Sequence, residues 1–147
     1  MNIRAATPDD IPSITEIEQS CSSAAHWSAQ RYRDLFSDSA PRRVTLVVEE
    51  ASLAGFIVAA AASADWEIEN IVIQEQARRR GLGRALILDI LSRAKKENAS
   101  SVLLEVRESN FSARQLYLNT GFKQIAHRPR YYSHPVEDAI IYRFQIV

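Results

Sequence analysis

Seven consecutive residues, Arg-Arg-Arg-Gly-Leu-Gly-Arg at 78–84, join four guanidinium groups to two glycines, a combination suited to the capture of phosphate. Gly81 and Gly83 carry no Cβ, so the backbone can come close to a ligand, and the first amides of a helix starting here point outward without intrahelical partners. Arg78, Arg79, Arg80 and Arg84 add positive charge at the same place. Two nucleotide-binding patterns do not fit: a dinucleotide fingerprint needs a third glycine where Leu86 stands, and a P-loop needs Gly-Lys-Ser/Thr after its glycines. Two readings of the residues remain. The segment binds a pyrophosphate carried by another kind of molecule, or it is a solvated, arginine-rich helix start.

The hydrophobic period changes across this segment, as expected of a loop that joins a strand to a helix. Upstream, residues 44–49, 55–62 and 67–73 are rich in β-branched and apolar types, with turn candidates at Ala51-Ser52 and at 63–65, so an antiparallel meander is expected. Downstream, Leu82, Leu86, Ile90 and Ala94, flanked by Ala85 and Leu91, give a broad apolar helix face over 81–98. Before the meander, a short strand at 3–6 leads to Thr7-Pro8-Asp9-Asp10, a helix start whose stripe is Ile11, Ile14 and Ile17, ending near 21. Ser28 caps a second short helix through Tyr32, Leu35 and Phe36 that stops before Pro41. After the long helix come a strand at 102–106, a helix at 111–120 capped by Asn110 and stopped by Gly121, and strands at about 122–128 and 138–146. The order predicts an α+β fold: a mixed, mostly antiparallel sheet of about seven strands with helices on both faces, and the phosphate loop opening the central helix.

At 147 residues and 46% hydrophobic content, the chain reads as one domain spanning 1–147. Lys+Arg and Asp+Glu both number 18, so no global field favours nucleic acid or an anionic membrane, and neither is expected as a partner. The single cysteine, Cys21, excludes an intramolecular disulfide and reads as packed rather than nucleophilic. No apolar leader stretch or run of about 20 apolar residues is present, which predicts a soluble, cytoplasmic protein. His127 and His134 stand apart from any Cys/His cluster, so no metal site is expected.

With these elements in order, the chain resembles the GNAT N-acetyltransferase superfamily, whose acetyl-CoA signature Q/R-x-x-G-x-G/A is met by Arg78-Arg79-Arg80-Gly81-Leu82-Gly83. The resemblance covers the whole chain and includes L-Y-x-x-x-G-F at 116–122. Within the superfamily the chain looks most like the RimI-type enzymes, which acetylate the N-terminal alanine of a ribosomal protein. The shared pieces are H-W-S at 26–28, N-I-V-I at 70–73, L-E-V-R-E-S-N at 104–110, R-Y-Y at 130–132 and E-D-A-I-I at 137–141. His26 departs from the pattern, which has proline before Trp-Ser. The resemblance implies acetyl-CoA as cosubstrate and a protein or peptide N-terminus, a ribosomal protein among the candidates, as acceptor. It implies that Ile71, Val72 and Ile73 pair with the pantetheine arm, that the amides of residues 79–84 take the pyrophosphate, and that Asn110 touches the thiol end. Trp27, Tyr131, Tyr132, Glu137 and Asp138 fall in segments that would line the acceptor groove.

Acetyl transfer to an amine needs a neutral nucleophile, a polarised thioester carbonyl and a proton for the departing thiolate. Glu105 and Tyr117 fill the base and acid positions. On its strand Glu105 shares a side with Leu103 and Arg107, and partial desolvation there would raise its pKa toward usefulness. Tyr117, on the next helix, can donate a proton from its phenol. A carbonyl-polarising amide is expected near Val72. An α-amine, with a reference pKa of roughly 8 against about 10.4 for lysine, suits a modest base working through water. A small amine or a protein lysine is the alternative acceptor, and a non-catalytic acyl-CoA sensor, which would lack the base or acid, is the alternative of another class.

Overall fold

The computed structural model describes residues 1–21, 24–38 and 41–146. The strands are β1 (Asn2–Ala5), β2 (Arg42–Glu49), β3 (Leu53–Ala62), β4 (Asp65–Ile73), β5 (Ser101–Arg107), β6 (Lys123–Ser133) and β7 (Val136–Gln145). The helices are α1 (Ile11–Ser20), α2 (Ala29–Asp34), α3 (Leu82–Lys96) and α4 (Phe111–Asn119). All seven strands form one sheet in the order β1-β2-β3-β4-β5-β7-β6. Every pairing is antiparallel except β4 with β5, which run parallel and are joined through α3.

That one parallel pair shapes the molecule. β4 and β5 are in register only over Asp65–Ile68 and Ser101–Leu104. Beyond it β4 stays bonded to β3, with Asn70 opposite Val58 and Ile73 opposite Gly55, while β5 stays bonded to β7, with Glu105 opposite Ile141 and Arg107 opposite Ala139. The strands therefore part after Ile68 and Leu104, and the facing edges of Asn70–Ile73 and Glu105–Arg107 have no strand between them. A β-bulge sits where they part, since Ala59 pairs with Ile68 and Val58 with Asn70, leaving Glu69 as the extra residue. An extra residue reverses the side-chain alternation beyond it. Trp66 and Ile68 accordingly pack under α3, whereas Val72 packs on the other face against α1 and α2.

The uninterrupted apolar run of β3 is explained by cover on both faces. Ile57 and Ala59 join the core of α3 and α4, with Leu86, Ile90, Val102 and Tyr117, and Phe56 and Val58 join the smaller core of Ile14, Ile17, Cys21 and Tyr32. The stripe expected for the central helix is buried as Leu82, Leu86, Ile90, Leu91 and Ala94, and Ile87 lies with them. Gly81 precedes this helix as its N-cap, left-handed at φ 79°, and Gly121 ends α4 at φ 105°, conformations that favour a residue without Cβ. Ser28 caps α2 by accepting from the Arg31 amide, as expected.

The last two strands are longer than their sequence suggests. β6 is an edge strand exposed along nearly its whole length, so it carries no apolar alternation to mark it. Its edge is blunted by Lys123, Arg128, Pro129 and Arg130 and by two register shifts, devices that discourage pairing with another chain. Glu137 and Asp138 lie inside β7 rather than in the turn before it. Among the described residues, no helix is long and apolar enough to cross a membrane.

Candidate active site

The loop from Ile73 to α3 closes one side of the gap between β4 and β5. Among the described residues the amides of 79–84 meet no backbone acceptor, and the first helical bond is Ala85 N–H to the Gly81 carbonyl at 3.0 Å. Arg79 at φ 63° and Gly81 at φ 79° are both left-handed, with Arg80 between them, and alternating left-handed positions of this kind turn amides toward one side, an arrangement that collects anions. The four arginines are not equivalent. Arg78 donates to the Ile73 carbonyl at 3.1 Å and to the Cys21 sulfur at 3.2 Å, and Arg80 is held by Glu50 at 2.8 Å and by the Gln76 carbonyl at 3.1 Å. Arg79 and Arg84 are exposed and make no ion pair among the described residues, which leaves them available to a ligand. Gly83 has a packing role: a Cβ there would lie 3.3 Å from Leu116 and 3.7 Å from Ile73, in the seam between α4 and the end of β4. These features fit a pyrophosphate-bearing ligand whose arm runs along the open edge of Ile71, Val72 and Ile73.

Glu105 and Tyr117 lie on opposite faces of the sheet. Val102, Leu104 and Val106 turn into the α3–α4 core, which leaves Glu105 and Arg107 on the α1–α2 side. The Glu105 side chain keeps 27% exposure with the Arg128 guanidinium 3.7 Å away, so it is desolvated only in part. Tyr117 is buried on α4, with ring centroids 5.9 Å from Phe122 and 6.0 Å from Tyr142. Burial first, then Tyr132 and Tyr142, holds its phenol well above the ordinary tyrosine range, so it remains protonated. Tyr132 is likewise pushed up to about 12 by burial and by Glu105.

A carboxylate absent from the sequence reading joins this group. Glu67 has its pKa raised by burial first, then by repulsion from Glu105 and Glu69. Glu69, the bulge residue, instead accepts from Nε and Nη2 of Arg43, each at 3.0 Å. Alternation along β4 marks neither residue as special; only the bulge and the neighbouring strand do.

The acceptor-side residues come together, with different degrees of freedom. Tyr131 and Tyr132 meet edge to face at 5.2 Å, Arg128 lies over Tyr131, and Arg107 lies over Tyr132 at 4.3 Å. Glu105, as an acceptor for the Tyr131 hydroxyl, raises the Tyr131 pKa. Trp27 is half-buried, its ring 5.4 Å from Tyr32 and covered by Arg31 at 3.7 Å. Glu137 and Asp138 are engaged within the protein: Glu137 accepts from the Ser109 amide at 2.6 Å and pairs with Arg107 at 3.4 Å, while Asp138 accepts from the Arg130 amide at 2.8 Å. Asn110 caps α4 through its side-chain oxygen, accepting from Ala113 N–H at 3.3 Å. His127 Nε2 lies between Asp138 at 2.7 Å and Glu108 at 3.2 Å. The donor atoms of these three residues fall within 4.8 Å of one another, close enough to hold a cation, although positions 108, 127 and 138 gave no such pattern in the sequence.

The sheet with its parted strand pair and the glycine-arginine loop opening α3 can be set beside known proteins. Residues 11–122 match the acetyltransferase (GNAT) family. The chain is 30% identical over 135 residues to the [Ribosomal protein bS18]-alanine N-acetyltransferase of Escherichia coli K12, covering 90% of this chain and 88% of the relative. The crystal structure of the E. coli ribosomal-protein-S18-alanine N-acetyltransferase superposes with a TM-score of 0.86 at 28% identity, covering 99% of this chain and 93% of that one. Ard1 from Thermoplasma volcanium superposes with a TM-score of 0.85 at 31% identity, covering 99% and 97%. This chain belongs to the acetyltransferase (GNAT) family and is an acetyl-CoA-dependent N-acetyltransferase.

Proposed function

We propose that this enzyme acetylates the α-amino group of a protein N-terminus, with an alanine-initiated chain such as a ribosomal protein as acceptor. The observation that carries this reading is the gap between β4 and β5, with Glu105 on one side, the protonated Tyr117 on the other and the unpaired amides of 79–84 at its end. The 30% identity to an enzyme named for the alanine of bS18 supports the choice of acceptor. The acceptor arrives as an ammonium, drawn to Glu105 and Glu67, and loses a proton to Glu105 directly or through water. The free amine attacks the thioester carbon, the C–N bond forms and the C–S bond breaks. Tyr117 gives its proton to the leaving sulfur and is reprotonated, through water, by the second proton that the attacking nitrogen sheds as the amide forms; Glu105 releases its proton to solvent, and an amide near Val72 polarises the carbonyl oxygen. Arg79 and Arg84 hold the phosphates. Trp27, Tyr131 and Tyr132 line the acceptor path, and Glu137 and Asp138 fix the β6–β7 hairpin that carries the tyrosines.

The test is intact-mass detection of acetyl transfer to two peptides, one with a free N-terminal alanine followed by basic residues, the other blocked at its N-terminus with an internal lysine. Mass gain confined to the first is expected. Gain on the lysine peptide alone would move the acceptor assignment to side chains, and gain on neither would move it to a small amine.

A further inference from the structure

Glu18 stands in the last turn of α1, four residues after Ile14 and on the same buried face, where an apolar residue would be expected. Its side chain is 1% exposed, and a carboxylate buried so deeply persists only when donors satisfy it. Here the donors come from parts of the chain that border the active site. Oε2 accepts the Trp27 amide at 2.8 Å and the Tyr32 hydroxyl, and Oε1 faces His26 Nδ1 at 3.7 Å. The Tyr32 oxygen in turn accepts from the Asn70 carboxamide at 3.1 Å. Tyr32 is wholly buried and Asn70 is 7% exposed, so both links are shielded from water. Burial and the Glu18 charge keep the Tyr32 phenol protonated and therefore the donor in its pair.

The chain of bonds runs from α1 through residues 26–27 and α2 to β4, and it ends at the residue after the bulge, where β4 leaves β5. We propose that Glu18 is a positioning residue for acceptor binding, fixing the Trp27 segment against the cosubstrate strand through Tyr32 and Asn70. The carboxylate touches no reacting atom. It sets how far the segment carrying Trp27 stands from the strand edge at Ile71–Ile73. The inference rests on the reading above that Trp27 lines the acceptor path. The bonds themselves explain why a charge is kept in an apolar core: one carboxylate oxygen serves two donors from separate segments, which no apolar side chain can do.

The experiment compares Glu18→Ala with Glu18→Gln, which keeps an acceptor oxygen in place. Steady-state kinetics are run against the alanine peptide and against acetyl-CoA, alongside acrylamide quenching of tryptophan fluorescence. Trp66 is 1% exposed, so quenching reports Trp27. Glu18→Ala is expected to raise the acceptor KM about tenfold, in keeping with the loss of hydrogen bonds to a charged group, with acetyl-CoA KM unchanged and quenching increased. Glu18→Gln should recover most of the affinity. If Glu18→Ala does not fold, Tyr32→Phe leaves the Trp27 amide bond in place, cuts the link to β4 by removing both hydrogen bonds of the hydroxyl, and should raise the same KM about three- to tenfold. An unchanged acceptor KM, or equal rises in both KM values, overturns the proposal. Should the wild type acetylate neither peptide, the acceptor reading fails separately, and unchanged quenching in the variants would overturn the positioning role without any acceptor.

Discussion

The proposed function gives the gap between β4 and β5 two walls, one for the cosubstrate and one for the acceptor, and they are built by opposite strategies. The cosubstrate wall is short and contiguous in sequence, running from Asn70 through the loop to Arg84, and it works mainly through backbone: a free strand edge and the unpaired amides of a helix start. The acceptor wall is assembled from side chains that lie far apart in the chain: Glu18, Trp27 and Tyr32, then Glu67 and Glu105, then Tyr131 and Tyr132. Backbone recognition tolerates change in most side chains and constrains where glycine must stand, whereas the acceptor wall changes character with each substitution. On the proposed function, one family can therefore keep its acetyl donor and vary its acceptor, with specificity assigned to the acceptor wall.

Substitutions that separate the walls should show this division. The largest effect is expected for Glu105→Gln, which removes the base and should lower kcat by about 100- to 1,000-fold in initial-rate assays with the alanine peptide. On the other wall, Gly83→Asp places a carboxylate in the seam against Leu116 and Ile73 and beside the phosphate site, and should weaken acetyl-CoA about 100-fold by calorimetry. Tyr117→Phe should lower kcat roughly tenfold or more with little change in melting temperature, because the ring keeps its packing with Phe122 and Tyr142. The arginines offer a finer comparison. Arg79→Ala or Arg84→Ala should each cost acetyl-CoA affinity a few-fold, with the loss shrinking at high salt, and Arg80→Ala should cost less because Glu50 already engages its guanidinium.

The smallest effect is a control outside both walls. Arg4 grips Asp10 with two nitrogens at 2.8 Å, and that hydrogen bonding, stronger than the opposing effect of burial, holds the Asp10 pKa below its usual value. A lowered pKa means stability that is present above the ordinary carboxylate range and lost as pH falls through the depressed value. The wild type should therefore lose melting temperature on acidification below about pH 4, and Asp10→Asn should lose part of that dependence with kcat unchanged.

The same contrast explains what the sequence made visible. The phosphate loop and the α3 stripe were legible because their residues are neighbours at fixed spacing, and the order and number of strands followed from runs of β-branched residues. The bulge at Glu69 was not, since one extra residue leaves Asp-Trp-Glu-Ile-Glu-Asn-Ile-Val-Ile looking like plain alternation while reversing the faces beyond it. β6 was read short because an exposed edge strand has no apolar face to show. Glu105 and Tyr117 came from resemblance rather than pattern, and the structure adds their placement on opposite faces. The sequence does not mark Glu18 or Glu67 for a shared reason: their significance lies in donors nine and fourteen positions away or in a charge on another strand, which no local spacing encodes.

The division of labour between the walls is tested most directly by titrating acetyl-CoA into Glu105→Gln and Gly83→Asp by calorimetry, beside the rate of acetyl transfer to the alanine peptide at saturating acetyl-CoA. Glu105→Gln should bind acetyl-CoA as tightly as the wild type while transferring far more slowly, and Gly83→Asp should recover much of its rate once acetyl-CoA is raised enough to saturate it. If Glu105→Gln instead lost acetyl-CoA affinity in step with its rate, or transferred at the wild-type rate, the two walls would not be separable and the assignment of Glu105 as base would be contradicted.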